Sequence, residues 1–392
     1  MGALDVASKT YLHPRYQRLF FGSLLVLLSI SSLFYLNRSR ISQSVSNAVH
    51  KSKVSYVLPD AIPLKPSLRD IIQALYAPTL QPITAPTFTD PVDGEVFHIP
   101  QHPIWTKSLG KRLCLVDIDN RPFDGENELM GKVPTPFDWT TFSNTPSGML
   151  GHYFYAMIHG YDYKFIRTTD YPDRAPYWTK IPALADHLHD YDFVVSIDAD
   201  AQIRFPQLPF EWLLNRWNVT KETSMTMALD PDDPPNHDVH GRLHDNAGFI
   251  VAQNLPRTHD LLKTWAACPD EPSPEFENCA RWKHPWPAEQ AAFAEYIRTI
   301  YNEPNDLNEI PCDEANGTPD FTPNGEFQHG CKGKFVRHHT LSKDAIKETI
   351  QNGHMGVIMG RMHQDFNEHK ETNTYMRKTN NLTRTDSGDV ID

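Results

Sequence analysis

The sequence predicts an α/β chain, a mostly parallel sheet flanked by helices, behind an N-terminal transmembrane helix. Three observations predict it. Short apolar runs alternate with stretches of helical spacing in the order β-α-β-α-β from about residue 110, which implies parallel strands joined by right-handed crossovers. Two of those runs end in Asp-x-Asp, Asp117-Ile-Asp119 and Asp198-Ala-Asp200, and ligands of such sheets bind beyond the carboxyl ends of the strands. Residues 19–36 hold 18 residues without a charge, with Arg15 and Arg18 before them and Arg38 and Arg40 after.

Composition sets the outer bounds. At 392 residues, 40% hydrophobic and 22% charged, the chain is long enough to bury a full core. Its net charge of −12, with no long Lys/Arg block, argues against nucleic acid as the main partner. The divisions expected are a tail at 1–18, an anchor at 19–36, a proline-rich stem at 37–104, a body at 105–365 and a polar tail at 366–392. As a helix the anchor would be about 27 Å long, enough for a thin bilayer of the secretory pathway. No small-x-small cleavage site follows it, so it reads as an anchor rather than a signal peptide.

Both flanks are basic, so charge decides the orientation weakly. The sequons Asn218-Val-Thr220 and Asn381-Leu-Thr383 favour a luminal body, while Asn316-Gly-Thr318 is weakened by Pro319. Of the five cysteines, Cys268/Cys279 and Cys312/Cys331 lie close in sequence in polar contexts and could pair, although those four allow three pairings. Cys114 sits in an apolar strand and reads as a buried thiol.

The elements follow in order. In the stem a helix is expected from Ser67, as N-cap, to residue 76, with Ile71, Ile72 and Leu75 as its apolar face. The first strand of the body covers residues 111–119. A helix at 148–159 is stopped by Gly160, a second strand covers 163–167, a helix covers 183–189, and the third strand runs into Asp198-Ala-Asp200. Beyond it come a short amphipathic segment at 206–217, a strand at 224–229, a long acidic loop at 230–245 and a strand at 246–252. Helices at 259–267 and 288–301, a late strand at 334–339, a short helix at 344–351 and a loose tail complete the pattern.

Two carboxylates at i and i+2 where a buried strand ends suit a hard divalent cation, Mn²⁺ or Mg²⁺, which takes oxygen ligands. Either His338 or His339 could add a third ligand. Adjacent strand residues point to opposite faces, so one of them should serve, and alternation favours His338. Glu289 and Gln290 open a helix, where an acidic residue can simply complement the dipole. Asp245, Asn246 and Gly248 start a strand with groups suited to sugar hydroxyls. Lys180, just before a helix, suits a phosphate.

Several of these pieces, taken together, resemble the retaining glycosyltransferases of family 34, the alpha-1,2-galactosyltransferase and alpha-1,6-mannosyltransferase group. They are Tyr155-Ala-Met-Ile-His-Gly-Tyr161, Trp178-Thr-Lys-Ile-Pro-Ala-Leu184, Asp198-Ala-Asp200-Ala-Gln-Ile203, Asn246-Ala-Gly248-Phe-Ile-Val, Glu289-Gln290 and Phe335-Val-Arg-His-His339. The resemblance spans roughly residues 110–340. Asn246-Ala-Gly248 replaces that family's Asn-Ser-Gly, and the loop at 230–245 has no counterpart in it.

The resemblance implies the GT-A nucleotide-diphospho-sugar transferase fold and a luminal enzyme of the Golgi or endoplasmic reticulum, of type II topology. It would move galactose from UDP-galactose or mannose from GDP-mannose to a glycan or glycoprotein. Asp198, Asp200 and a C-terminal His would hold the metal, Gln290 would lie closest to the anomeric carbon with Glu289 beside it, and Asp117 or Asp119 would lie near the nucleoside. Oligomers are compatible with it. Two rivals share parts of the pattern. A catalytically degenerate binding or scaffold protein would keep the fold. A haloacid-dehalogenase-like phosphohydrolase would use Asp117 and Asp119, with residues 388–392 as its late acidic motif.

Overall fold

The computed structural model describes residues 65–270, 276–317, 331–341 and 343–374. The tail at 1–18, the anchor at 19–36, most of the early stem and residues 375–392 lie outside them. Among the described residues no helix is long and apolar enough to cross a membrane. The described residues from Pro66 onward belong to one unit.

The unit opens with α1, Leu68–Tyr76, closed at its start by a capping box in which Ser67 and Asp70 bond each other's backbone. Such a cap contributes about 1 kcal/mol. The expected inner face needs correction: Ile72 and Tyr76 are buried, while Ile71 and Leu75 face solvent. A hairpin follows, β1 (Thr87–Thr89) and β2 (Val96–His98). Its Phe88 and Phe97 are buried in the main core, so this part of the proline-rich segment packs on the body.

The main sheet is built from β3 (Leu113–Asp119), α2 (Asn144–His159), β4 (Asp162–Arg167), α3 (Lys180–Leu188) and β5 (Phe193–Ile197). This is the predicted β-α-β-α-β run, with β3 parallel to both β4 and β5. Gly160 ends α2 at φ 76°, a left-handed conformation that suits glycine. The third strand is shorter than expected, because the chain turns at Asp198 and restarts as a separate strand, β6 (Ala201–Ile203). Next comes α4 (Phe210–Arg216), which is buried on nearly every side rather than amphipathic.

Then β7 (Met225–Leu229), β8 (Asp245–Gln253), α5 (Pro256–Ala267) and α6 (Glu289–Ala292) follow, the last continuing as a π-turn and a final turn to residue 300. Short β9 (Leu307–Ile310) and α7 (Cys312–Ala315) precede β10 (Val336–His338). The last long element is α8, Ala345–Glu368, a 24-residue helix where a short one and a loose tail were expected.

The six-stranded order is β4-β3-β5-β8-β7-β9, and β8 runs antiparallel to both neighbours. Period-two alternation sorts the strands onto two cores. Leu113, Leu115, Phe193, Val195, Phe249 and Val251 face one layer, which includes Tyr155 and the α4 residues. Cys114, Val116, Val194, Ile250 and Ala252 face the other, with Leu184, Leu262, Trp265 and Phe293. The first crossover places β4 on one side of β3 and the second places β5 on the other. The strand order therefore reverses between β3 and β5, the place where open α/β sheets bind ligands.

Candidate active site

At that reversal a cleft of about 750 Å³ opens beyond the strand ends. The apolar run 193–197 carries the backbone through the core, and the tight turn Asp198–Ala201 turns it back, closed by Ala201 N–H donating to the Asp198 carbonyl at 2.8 Å. Antiparallel pairing of β6 with β10 sets His338 opposite Ala201. Residues about 140 apart in sequence thus meet through strand register rather than proximity. Ligand atoms of Asp198, Asp200 and His338 all lie within 4.8 Å of one another.

His338 Nε2 is 3.2 Å from Asp200 Oδ1, and Lys343 Nζ is 2.9 Å from Asp200 Oδ2. Burial would raise the Asp200 pKa, but the His338 and Lys343 charges outweigh it and hold the carboxyl well below the usual range. His338 is buried and shifted upward: burial disfavours its charge, and Asp200 more than compensates. His339 points to the other face, fully buried, and burial drives it down to about 4. Of the two histidines, His338 is therefore the one in the cleft. Two carboxylates and an imidazole suit a divalent cation such as Mn²⁺, so the residues present fit the expected metal.

Lys180, the first residue of α3, is buried. Its Nζ lies 2.8 Å from Asp198 Oδ1, donates to the Ala247 carbonyl at 2.7 Å and lies 4.0 Å from Glu289 Oε1. Burial works against its charge, yet Asp198 and Glu289 raise its pKa. Glu289 and Gln290 are buried at the start of α6, entered through Ala288 at φ 48°. Burial pushes Glu289 up to about 7, against the pull of Lys180, and its Oε2 has no hydrogen-bond partner. Gln290 is held at both ends: its Oε1 accepts from Ala247 N–H at 2.9 Å and its Nε2 donates to Asp230 Oδ2 at 2.6 Å.

Asp230 is a site residue that sequence reasoning missed. A buried residue of the cleft lining, it accepts from the side-chain amides of Gln290, Asn246 (2.7 Å) and Asn316 (3.0 Å). Asn246 turns its other end to Gly248 N–H at 2.8 Å. The sequon residue Asn316 is thus an interior bond donor. The loop that starts at Asp230 is not purely a solvated one, since Asp238 and His244 are buried in it as well.

The remaining expectations divide. Asn246 and Gly248 line the cleft, as do Asp117 and Asp119. The Asp117 carboxylate is nonetheless held from below by His152 Nδ1 at 3.0 Å and the Tyr163 hydroxyl at 2.8 Å. Asp119 pairs with Arg121. Asp245 is not brought to the cleft: one residue off in strand alternation from Asn246, it pairs with buried Arg298 at 2.8 Å. Burial pushes its carboxyl up to about 7 despite Arg298.

No family model matches the sequence, and no curated protein matches it. Among solved structures the chain has distant similarities to glycosyltransferases. A glycosyltransferase involved in the glycosylation of the major capsid of PBCV-1 is 12% identical, covering 61% of this chain and 98% of that one at TM-score 0.39. Galactosyltransferase LgtC, solved with donor and acceptor sugar analogues, is 9% identical over 61% of this chain and 95% of its own, at TM-score 0.32. Mouse xyloside xylosyltransferase 1 is 10% identical over 59% and 98%, at TM-score 0.30. Similarities this distant carry no weight for the chemistry, which rests on the residues of the cleft.

Proposed function

We propose that the protein is a metal-dependent glycosyltransferase that moves a hexose, galactose or mannose, from a nucleotide-sugar to a glycan or glycoprotein, with retention of configuration. The observation that carries this reading is the convergence of Asp198, Asp200 and His338 in one cleft with Lys180, Glu289 and Gln290. A Mn²⁺ or Mg²⁺ ion held by the first three would neutralise charge on a diphosphate leaving group. Lys180 adds a fixed positive charge beside it. Glu289 and Gln290 present carboxylate and amide oxygens to an oxocarbenium-like centre, where preorganised dipoles act most strongly in a dry site. The Gln290 amide is locked by Ala247 and Asp230, so its placement needs no reorganisation. Residues 19–36 supply a membrane anchor in this reading, with the body in the Golgi or endoplasmic reticulum lumen.

The test is turnover. The purified chain is assayed for hydrolysis and transfer with UDP-galactose and GDP-mannose in the presence of Mn²⁺. Asp198→Ala and Asp200→Ala each lower the rate by about 100-fold or more, the scale of losing a main electrostatic stabiliser, with an unchanged circular dichroism spectrum. Absence of nucleotide-sugar binding by calorimetry, with no effect of either substitution, leaves a degenerate binding protein as the answer. Phosphate release that depends on Asp117 would instead favour a phosphohydrolase.

A further inference from the structure

Three exposed apolar side chains stand on the rim of the cleft: Tyr177 is 51% exposed, Trp286 67% and Leu341 66%. Single exposed apolar residues are ordinary on a protein surface, but several at the mouth of one polar cleft mark a binding surface. Tyr177 and Trp286 ride on two segments stitched together. Ala175 N–H donates to the Lys283 carbonyl at 2.7 Å, and the Trp178 indole donates to the Trp282 carbonyl at 3.0 Å. The same two segments carry the polar groups of the cleft. Tyr177 lies three residues before Lys180, and Trp286 three before Glu289. Between Trp286 and Glu289 the chain turns through Ala288 at φ 48°, so the indole faces solvent while Glu289 and Gln290 are buried.

We infer that Trp286 and Tyr177 form the acceptor subsite, a stacking platform for a pyranose ring of a glycan, with Leu341 adding apolar surface to the rim. This rests on the glycosyl-transfer reading above. A pyranose presents a face of C–H groups, which suits the electron-rich face of an indole or phenol. Its hydroxyls remain free to meet water or the polar wall. The placement separates an acceptor from a nucleobase. Within the reading above, the transferred sugar lies beside Glu289 and Gln290; the Trp286 ring sits immediately outside those residues on the same segment, and the Tyr177 ring lies on the segment bonded to it. The next group outward from the transferred sugar is the acceptor. The nucleoside lies on the far side of the diphosphate.

The experiment compares transfer with hydrolysis for wild type, Trp286→Ala, Trp286→Phe and Tyr177→Ala, at saturating donor with Mn²⁺. Mannotriose, cellotriose and lactose serve as acceptor probes and a sugar-free peptide as control. Trp286→Ala raises the acceptor KM at least tenfold and lowers the ratio of transfer to hydrolysis by a similar factor; Trp286→Phe restores most of both, and Tyr177→Ala gives a smaller change in the same direction. An unchanged ratio overturns the inference. So does a tenfold loss of nucleotide-sugar affinity, which would make the indole a nucleobase platform. A wild type that hydrolyses donor but transfers to no saccharide of the panel overturns the inference alone. A wild type that binds no donor overturns the glycosyl-transfer reading and the inference with it.

Discussion

Gly248 lacks a side chain in a place where His338 needs the space. A Cβ built on it would lie 2.3 Å from His338 Cε1 and 2.9 Å from its Nδ1, far inside contact distance, in a fully buried strand with little room to yield. Gly248→Ala should therefore displace the imidazole and weaken Mn²⁺ binding roughly tenfold or more, the scale at which groups supporting a metal ligand act. Calorimetric titration of Mn²⁺ checks this, and an affinity equal to wild type would refute it. At this scale the site was partly legible in the sequence. Asp198 and Asp200 could be read, because an apolar run must end before a carboxylate can meet water. Alternation favoured His338 over His339, and the register of β10 on β6 sets His338 opposite Ala201, beside the carboxylates. Asp245 and Asn246 differ by one step of alternation, and that step sends one to Arg298 and the other to the cleft. Asp230 was hidden inside an acidic stretch read as a loop. The available signal was its position: it follows the buried strand Met225–Leu229 directly, as Asp198 follows Ile197.

Between elements the decisive contact is that of α2 with the turn after β5. Gly148, in the second turn of α2, lets the helix come so close that a Cβ there would sit 1.8 Å from the Ala199 carbonyl oxygen. Backbone meets backbone here, so neither side can rotate away. Gly148→Ala should push the Asp198–Ala201 turn outward and lower turnover by at least tenfold, while helix propensity alone would favour Ala. A turnover equal to wild type, with the fold intact by circular dichroism, would mean that the turn tolerates the shift. Strands β3 and β5 of the β-α-β-α-β run were legible because their apolar runs are continuous, whereas β4, with Asp162, Lys164 and Arg167 in it, was placed by the helix stop at Gly160 before it. Other elements were not. Leu307-Asn-Glu-Ile310 is short and half polar, as an edge strand can be, and the sequence shows no period there. Helix α8 carries Gly353, Gly356 and Gly360, weak helix formers that disguise its length. Its start is fixed by packing instead, with Ile346 and Ile350 buried and its contacts to α2 holding it in place.

For the whole molecule, two disulfides close local loops in the late chain. Cys268 pairs with Cys279 and Cys312 with Cys331, one of the three pairings that the sequence left open, and Cys114 is a free buried thiol whose pKa burial pushes up to about 12. Each bond precedes a segment of the cleft. Cys279 lies ten residues before Glu289, and Cys331 lies seven before His338. The loops closed span 11 and 19 residues, and loops of this length contribute about 3 kcal/mol each in the chain-entropy account. Reduction should therefore lower the guanidinium midpoint and disturb metal binding together, because both stapled segments deliver cleft residues. The sequon residue Asn218 is exposed. Thiol titration in guanidinium checks the covalent frame directly. Of the five cysteines, one reacts without reductant and all five react after it. Three or more reactive thiols in unreduced protein expressed through the secretory pathway would refute the frame, and with it the stability assigned to the two loops.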